Sequence, residues 1–212
     1  MTDYRKASFD LFDQLSREHH LFARMRSTVE GSPWHREANV LVHTEMVLNE
    51  YARRVDAALS LSHAGPWRAP WARDHFIGAV ECIFHDVGKP SSEITKHSVE
   101  RGEYRAYHNH ELASARLFED WATQQGSMFT PLEIARIVFM IEYHMPWNIE
   151  RDSKLKNLAV TAKAYGADIY MMTLLADQFG RTSDDWDANT TRSAAWVEKF
   201  KAIVDVASEV MV

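Results

Sequence analysis

Four histidines and two aspartates fall where a helical core should be, a burden that a purely apolar interior cannot carry. His43 lies three residues after Val40 and four before Val47, on the stripe that Val40, Val47 and Tyr51 share. His144 continues the stripe of Ile134, Ile137, Val138 and Ile141. His85 and Asp86 end the apolar run of Phe76, Ile77, Ala79, Val80, Ile83 and Phe84, and Gly88 and Pro90 stop the helix that this run forms. His110 opens a further helix, and Asp177 stands near the end of a later one, before Gly180-Arg181. Each inward polar group without a partner costs ~1–3 kcal/mol. These residues fit a helical core if they share one object, and a one- or two-metal centre inside a helix bundle is such an object. Neutral imidazole and carboxylate are ordinary ligands of a divalent cation.

The rest of the chain reads as helices with short connections. Residues 3–27 have helical spacing through Phe9, Phe12, Leu15, Phe22 and Met25, and Gly31-Ser32-Pro33 breaks them. An amphipathic run follows from Ala38 to Leu61, then a Gly- and Pro-containing loop over 62–72, then a helix from about Arg73 to the His-Asp pair. Residues 90–106 are polar and read as a long loop beside the candidate site. Thr130-Pro131-Leu132-Glu133 is a helix start with Thr at N-cap, Pro at N1 and Glu at N3. One helix is expected over 155–179, an acidic loop over 183–187, and a last helix from about Thr190. No glycine-rich phosphate loop and no β-branched alternation occurs, so the expected fold class is all-α, one domain over residues 1–212.

Composition excludes some partners. The net charge is −6 with histidine neutral, which gives no overall basic field to hold long nucleic acid. A single cysteine, Cys82, rules out an internal disulfide and sits in the apolar run as a small core residue. No stretch reaches the roughly 18 apolar residues of a membrane span, and the N-terminus lacks a signal-peptide pattern, so the expected location is cytoplasmic with no membrane partner. His19-His20 and His63 carry no partner pattern and read as surface, and Trp67, Trp71 and Trp147 read as packing residues rather than base-stacking ones.

The ordered set His43, His85-Asp86 and Asp177 resembles the signature of the HD-domain metal-dependent phosphohydrolases, over about Trp34 to Asp187. Trp34-His35-Arg36-Glu37 followed by Val42-His43-Thr44 is similar to a segment of the HD domain attached to some bacterial tRNA nucleotidyltransferases, although Ala38-Asn39 stands where that subgroup has Gly-Asp. His85-Asp86-Val87-Gly88-Lys89, His108-Asn109-His110-Glu111 and Ala176-Asp177-Gln178-Phe179-Gly180-Arg181 are similar to segments of the same subgroup. The resemblance implies an HD-type helical bundle and hydrolysis of a phosphate mono- or diester. The implied substrate is a small phosphorylated molecule, a nucleotide or an RNA or DNA end. His110 and His144, between the pair and the last aspartate, resemble the dinuclear branch. There His43, His85, Asp86 and Asp177 hold one ion, and His110 and His144 join Asp86 at a second; His108 could replace His110 in register.

The implied cofactor is one or two divalent ions, among Mn, Fe, Ni, Mg, Co and Zn. Asp86 and Lys89 are the candidate catalytic residues. Lys89, Arg181, His35 and Glu37 are the candidate substrate contacts, with a helix-capping pair as the alternative for His35 and Glu37 and a helix C-terminal role for Lys89. Lys89 can meet a phosphate oxygen as a point charge and Arg181 as a fork. Two other classes share the pattern: an HD-fold di-iron oxygenase and a non-catalytic nucleotide-binding module.

Overall fold

The apolar run that precedes the His-Asp pair becomes the axis of the fold. In the computed structural model, which describes residues 4–30, 35–61, 71–99, 102–149, 151–182 and 186–209, this run is α4 (Trp71–Phe84). Ile77, Ala79, Val80, Cys82, Ile83 and Phe84 are all buried, so the C-terminal half of α4 lies in the interior. Around it pack α1 (Tyr4–Glu18), α3 (Val40–Leu61), α6 (Pro131–Glu142) and α8 (Ala167–Phe179). α2 (His20–Ser27) lies against α1 and α3, α5 (His110–Gln124) against α6, and α7 (Asp152–Tyr165) against α8 and α9 (Trp186–Glu209). The buried side chains form one cluster from Phe12 to Phe200, tied by edge-on contacts such as Phe22–Phe84 and Phe84–Phe118. The described residues are thus mostly helical, and no helix among them is long and apolar enough to cross a membrane.

Several sequence expectations are corrected. The stretch 90–106 is not an irregular loop. It opens with a 3-10 turn, Lys89–Ser91, and continues as an antiparallel hairpin of β1 (Glu93–Ser98) and β2 (Gly102–Tyr107), in register from Glu93 opposite Tyr107 to Ser98 opposite Gly102. Both strands are largely exposed, so neither face imposes the apolar alternation by which a strand is recognised. The first helix divides at His19, whose backbone is extended and whose ring accepts the N–H of Leu21 as an N-cap; the ring also stacks on His20. The helix expected over 155–179 divides at Gly166, where φ is 106°, a conformation open to glycine alone at low cost. α9 starts at Trp186, earlier than expected, while Ser183, Asp184, Asp185, His63 and Trp67 lie outside the described residues. Trp147 packs edge-on against Trp196.

Two glycines set how closely the site-bearing elements approach. A Cβ on Gly88 would lie 2.6 Å from the His110 carbonyl oxygen and 2.5 Å from the Ser114 nitrogen, and the Gly88 N–H donates to Ser114 Oγ at 2.8 Å. A Cβ on Gly180 would lie 2.6 Å from Val47 Cα. The first contact presses the start of α5 against the His-Asp turn, and the second presses the end of α8 against α3. Gly88→Ala should therefore overpack the turn and cost ~1–3 kcal/mol, read as a lower midpoint of thermal unfolding.

The capping box at Thr130 forms as the sequence indicates, with Thr130 Oγ1 and the Glu133 carboxylate answering each other's backbone N–H groups. Arg73 of α4 adds a fork onto Glu133, 2.6 Å from Nε to Oε1 and 2.9 Å from Nη2 to Oε2. The Arg73 hydrogen bonds outweigh the partial burial of Glu133 and hold its carboxyl down at about 2. A depressed folded-state pKa gives stability that is present above the ordinary carboxylate range and lost as pH falls toward about 2. Arg73→Ala should cost ~1 kcal/mol or less at neutral pH, a difference from wild type that shrinks across pH 4 to 2 in denaturant titrations.

Candidate metal centre

Helix ends deliver the polar residues to the core. The last carbonyls of a helix have no intrahelical partner, and a histidine just past the end can donate to them. His85 Nδ1 donates to Cys82 O of α4 at 2.8 Å, and His144 Nδ1 to Ile141 O of α6 at 2.7 Å. His110 Nδ1 donates to Tyr107 O at 2.8 Å, across the turn in which Asn109 takes the left-handed φ of 54°. Each of these bonds leaves the other ring nitrogen, Nε2, facing inward. His43 reaches the same place from the middle of the first turns of α3, and Asp177 from the last turn of α8.

The inward atoms converge in two groups that share Asp86. Around Asp86 Oδ2 stand His85 Nε2 at 3.1 Å and His43 Nε2 at 3.5 Å; His43 Nε2 is also 3.3 Å from His85 Nε2 and 3.2 Å from Asp177 Oδ1. Around Asp86 Oδ1 stand His110 Nε2 at 3.1 Å and His144 Nε2 at 3.7 Å, themselves 3.3 Å apart. The four rings form an unbroken chain, with centroids 5.2–5.4 Å apart from His43 to His85 to His144 to His110. His43, His85, Asp86, His110 and His144 are all buried, and Asp177 is partly exposed. His108 is exposed, so it is His110 that joins the cluster.

This geometry calls for positive charge between the rings. His110 and His144 each commit Nδ1–H to a carbonyl, so in their neutral forms two Nε2 lone pairs would face each other at 3.3 Å. Burial and the neighbouring His110 and His85 push His144 down to about 3, which keeps it neutral and an acceptor. Asp86 Oδ1, between them, is buried without a hydrogen bond. Donors ~2.1 Å from one ion stand roughly 3.0–3.5 Å from each other in octahedral or tetrahedral coordination, and the donors of the two groups stand 3.1–3.7 Å apart. The buried His43, His85, Asp86 group and the buried Asp86, His110, His144 group could each hold a metal ion.

The surrounding charges are arranged about Asp86. Lys89 is buried, its Nζ 2.8 Å from Asp86 Oδ2 and 2.6 Å from Glu30 Oε1. Burial opposes charge on Asp86 and Lys89 alike, yet the Asp86–Lys89 and Asp86–His85 attractions prevail, holding the aspartate well below its ordinary range and the lysine above its own. His85, despite burial, is lifted to about 10 by Asp86, Asp177 and Glu81. Glu81, a turn before His85, is buried and pushed up to about 7 by desolvation.

Glu30 and Glu81 are the parts of this environment absent from the sequence-based set. Glu81 sits four residues before His85 within an apolar run, a readable position, whereas Glu30 lies isolated before a helix break and carries no signal.

Of the residues expected at the substrate, Glu37 is buried, 3.3 Å from His35 Nδ1 and 3.6 Å from His43 Nδ1. Arg181 is partly buried and donates through Nη2 to Gln178 Oε1 at 2.8 Å. Tyr143 and Met145, the neighbours of His144, line a cleft of about 570 Å³ with Glu111, Phe139, Ile149 and Lys154. No family model, curated protein or solved structure matches this chain.

Addition of a divalent metal to metal-stripped protein should raise the unfolding midpoint, by the equivalent of ~2.7 kcal/mol at a hundredfold excess over Kd. Asp86→Ala, which removes the oxygens facing both histidine pairs, should abolish that rise. A full metal-induced shift in Asp86→Ala would place the ions elsewhere.

Proposed function

We propose that this chain is an HD-type metal-dependent phosphohydrolase acting on a small phosphorylated substrate, a nucleotide or a nucleic-acid end. The observation that carries the reading is the division of one buried carboxylate between two donor groups, Asp86 Oδ2 toward His43 and His85, which Asp177 joins through His43, and Oδ1 toward His110 and His144. That donor set fits two divalent cations, which when bound would supply charge neutralisation for phosphate oxygens and make a water nucleophilic near neutral pH.

The chain's own residues have separable tasks. His85, His110 and His144 are oriented by backbone carbonyls, so their inward nitrogens are fixed before any ligand arrives. Lys89 is held between Asp86 and Glu30, and its work is to keep the Asp86 carboxylate ionised and in register. Arg181, three residues beyond Gln178 and four beyond Asp177, is the cation assigned to the phosphate, with Gln178 steadying one arm of its fork. The net charge of −6 favours a small substrate over long nucleic acid.

Metal analysis of the purified protein with a screen of phosphate esters tests the reading. Ion content should approach two per chain and phosphate should be released. Arg181→Ala should lower kcat/KM by about tenfold to a few hundredfold, ~1.4–3.5 kcal/mol, with metal content intact. Arg181→Lys should recover only part of the loss, because an ammonium cannot reproduce a fork. Iron-loaded protein that consumes oxygen with a small organic substrate and releases no phosphate would move it to the oxygenases; nucleotide binding without either activity would make it a binding module.

A further inference from the structure

The four histidines are not held alike. His85, His110 and His144 each give Nδ1–H to a neutral carbonyl three residues earlier; the carboxylate nearest one of these nitrogens, Glu111 Oε2 at 3.7 Å from His110 Nδ1, is partly exposed and stands beside a bond already made to Tyr107 O. His43 cannot follow them. It stands inside α3, its own N–H donates to Asn39 O, and the carbonyl three residues before it, Val40 O, already accepts from Thr44 Oγ1 at 3.0 Å. Its Nδ1 is buried, makes no hydrogen bond, and has Glu37 Oε1 at 3.6 Å as the carboxylate oxygen it faces.

Glu37 is built into this position. Its side chain is fully buried, a costly place for a carboxylate with no task. Oε1 accepts the backbone N–H of Thr182 at 2.7 Å, and the Arg36 N–H donates to Thr182 O at 3.0 Å. The stretch just before α3 is thereby bonded in both directions to the stretch just after α8, the helix that carries Asp177. Oε2 faces His35 Nδ1 at 3.3 Å, and the His35 ring stands edge-on to His43 with centroids 4.6 Å apart.

We infer that Glu37 is the positioning residue of the His43 half of the centre: its carboxylate holds His43 with Nδ1–H outward and Nε2 inward, and through Thr182 it fixes where Asp177 stands relative to His43. The inference rests on the two-ion reading above. A carboxylate facing the outer nitrogen makes an imidazole a stronger donor to a cation than a neutral carbonyl does, and a contraction of a few tenths of an ångström would turn the Glu37–His43 contact into a hydrogen bond. The His43 half also has two carboxylates, Asp86 and Asp177, against Asp86 alone in the His110–His144 half. The two halves therefore differ in affinity, the His43 half being the tighter, and Glu37 accounts for part of the difference.

The test is a competition titration of metal-stripped protein with Zn²⁺ against a chromophoric chelator, for wild type, Glu37→Ala and Glu37→Gln. Wild type should bind two ions in resolved steps. Glu37→Ala should weaken the tighter step by about 10–100-fold and leave the weaker step unchanged. Glu37→Gln keeps an oxygen for Thr182 and nearly the same volume, so it should retain the wild-type unfolding midpoint while still losing affinity at the tighter step. Long-range ¹H–¹⁵N spectra of the zinc-loaded proteins provide a second readout. The His43 Nδ1 proton should shift and exchange faster in both variants, while the signals of His85, His110 and His144 stay in place.

Unchanged affinity of the tighter step, or equal weakening of both steps, would overturn the assignment of Glu37. A wild type that binds no Zn²⁺ would overturn the metal reading itself, and the positioning role with it.

Discussion

The polar centre of this interior is organised by one carboxylate. Asp86 stands buried just past the end of α4, where an isolated charge would cost several kcal/mol, and its oxygens face nitrogens of His43, His85, Lys89, His110 and His144. Remove it, and the imidazoles of α3, α5 and the turn after α6 have no common counter-charge. The fold serves this arrangement: α4 carries Asp86 into the core, Gly88 lets the start of α5 come close enough for His110, and Gly180 lets α8 lie against α3 so that Asp177 reaches His43.

The same interaction serves stability and chemistry. A histidine that donates to the exposed carbonyls at a helix end caps that helix and is at once aimed. His85 and His144 do this at the ends of α4 and α6, so the ordering of their rings is part of the cost of ending a helix in the core rather than an additional one. Lys89 extends the principle to charge. Its partners Asp86 and Glu30 come from opposite sides, and the buried triplet carries a net −1, which a bound cation would offset.

Much of the centre was legible because it depends on period and helix ends. His43 and His144 fall on apolar stripes, and His85-Asp86 falls at a glycine- and proline-marked stop, so their inward direction follows from helix geometry. What stayed hidden depends on contacts distant in sequence. Glu30 meets Lys89 across 59 positions and Glu37 meets Thr182 across 145, and neither has a local pattern. The hairpin stayed hidden for the opposite reason: its strands are held by backbone pairing and no residue in either is fully buried, so no buried side is written into 93–107. The break at Gly166 is visible only as a glycine inside an otherwise continuous apolar pattern, where the left-handed turn and the Arg136 side chain nearby decide the outcome.

The spacing of the histidines and aspartates along the chain also bears on how the protein folds. His43 and His85 are 42 positions apart, His110 and His144 are 34 apart, and His43 and Asp177 are 134 apart. Contacts that close such long segments carry the largest loop entropy and form after local helices have assembled. The helices that carry His43 and Asp177, α3 and α8, also pack on each other and on α4 through apolar side chains, so the polar centre and the core around it close the same long segments. Docking of α8 onto α3 and α4 is thus the one topological step that both completes the apolar core and brings Asp177 to His43.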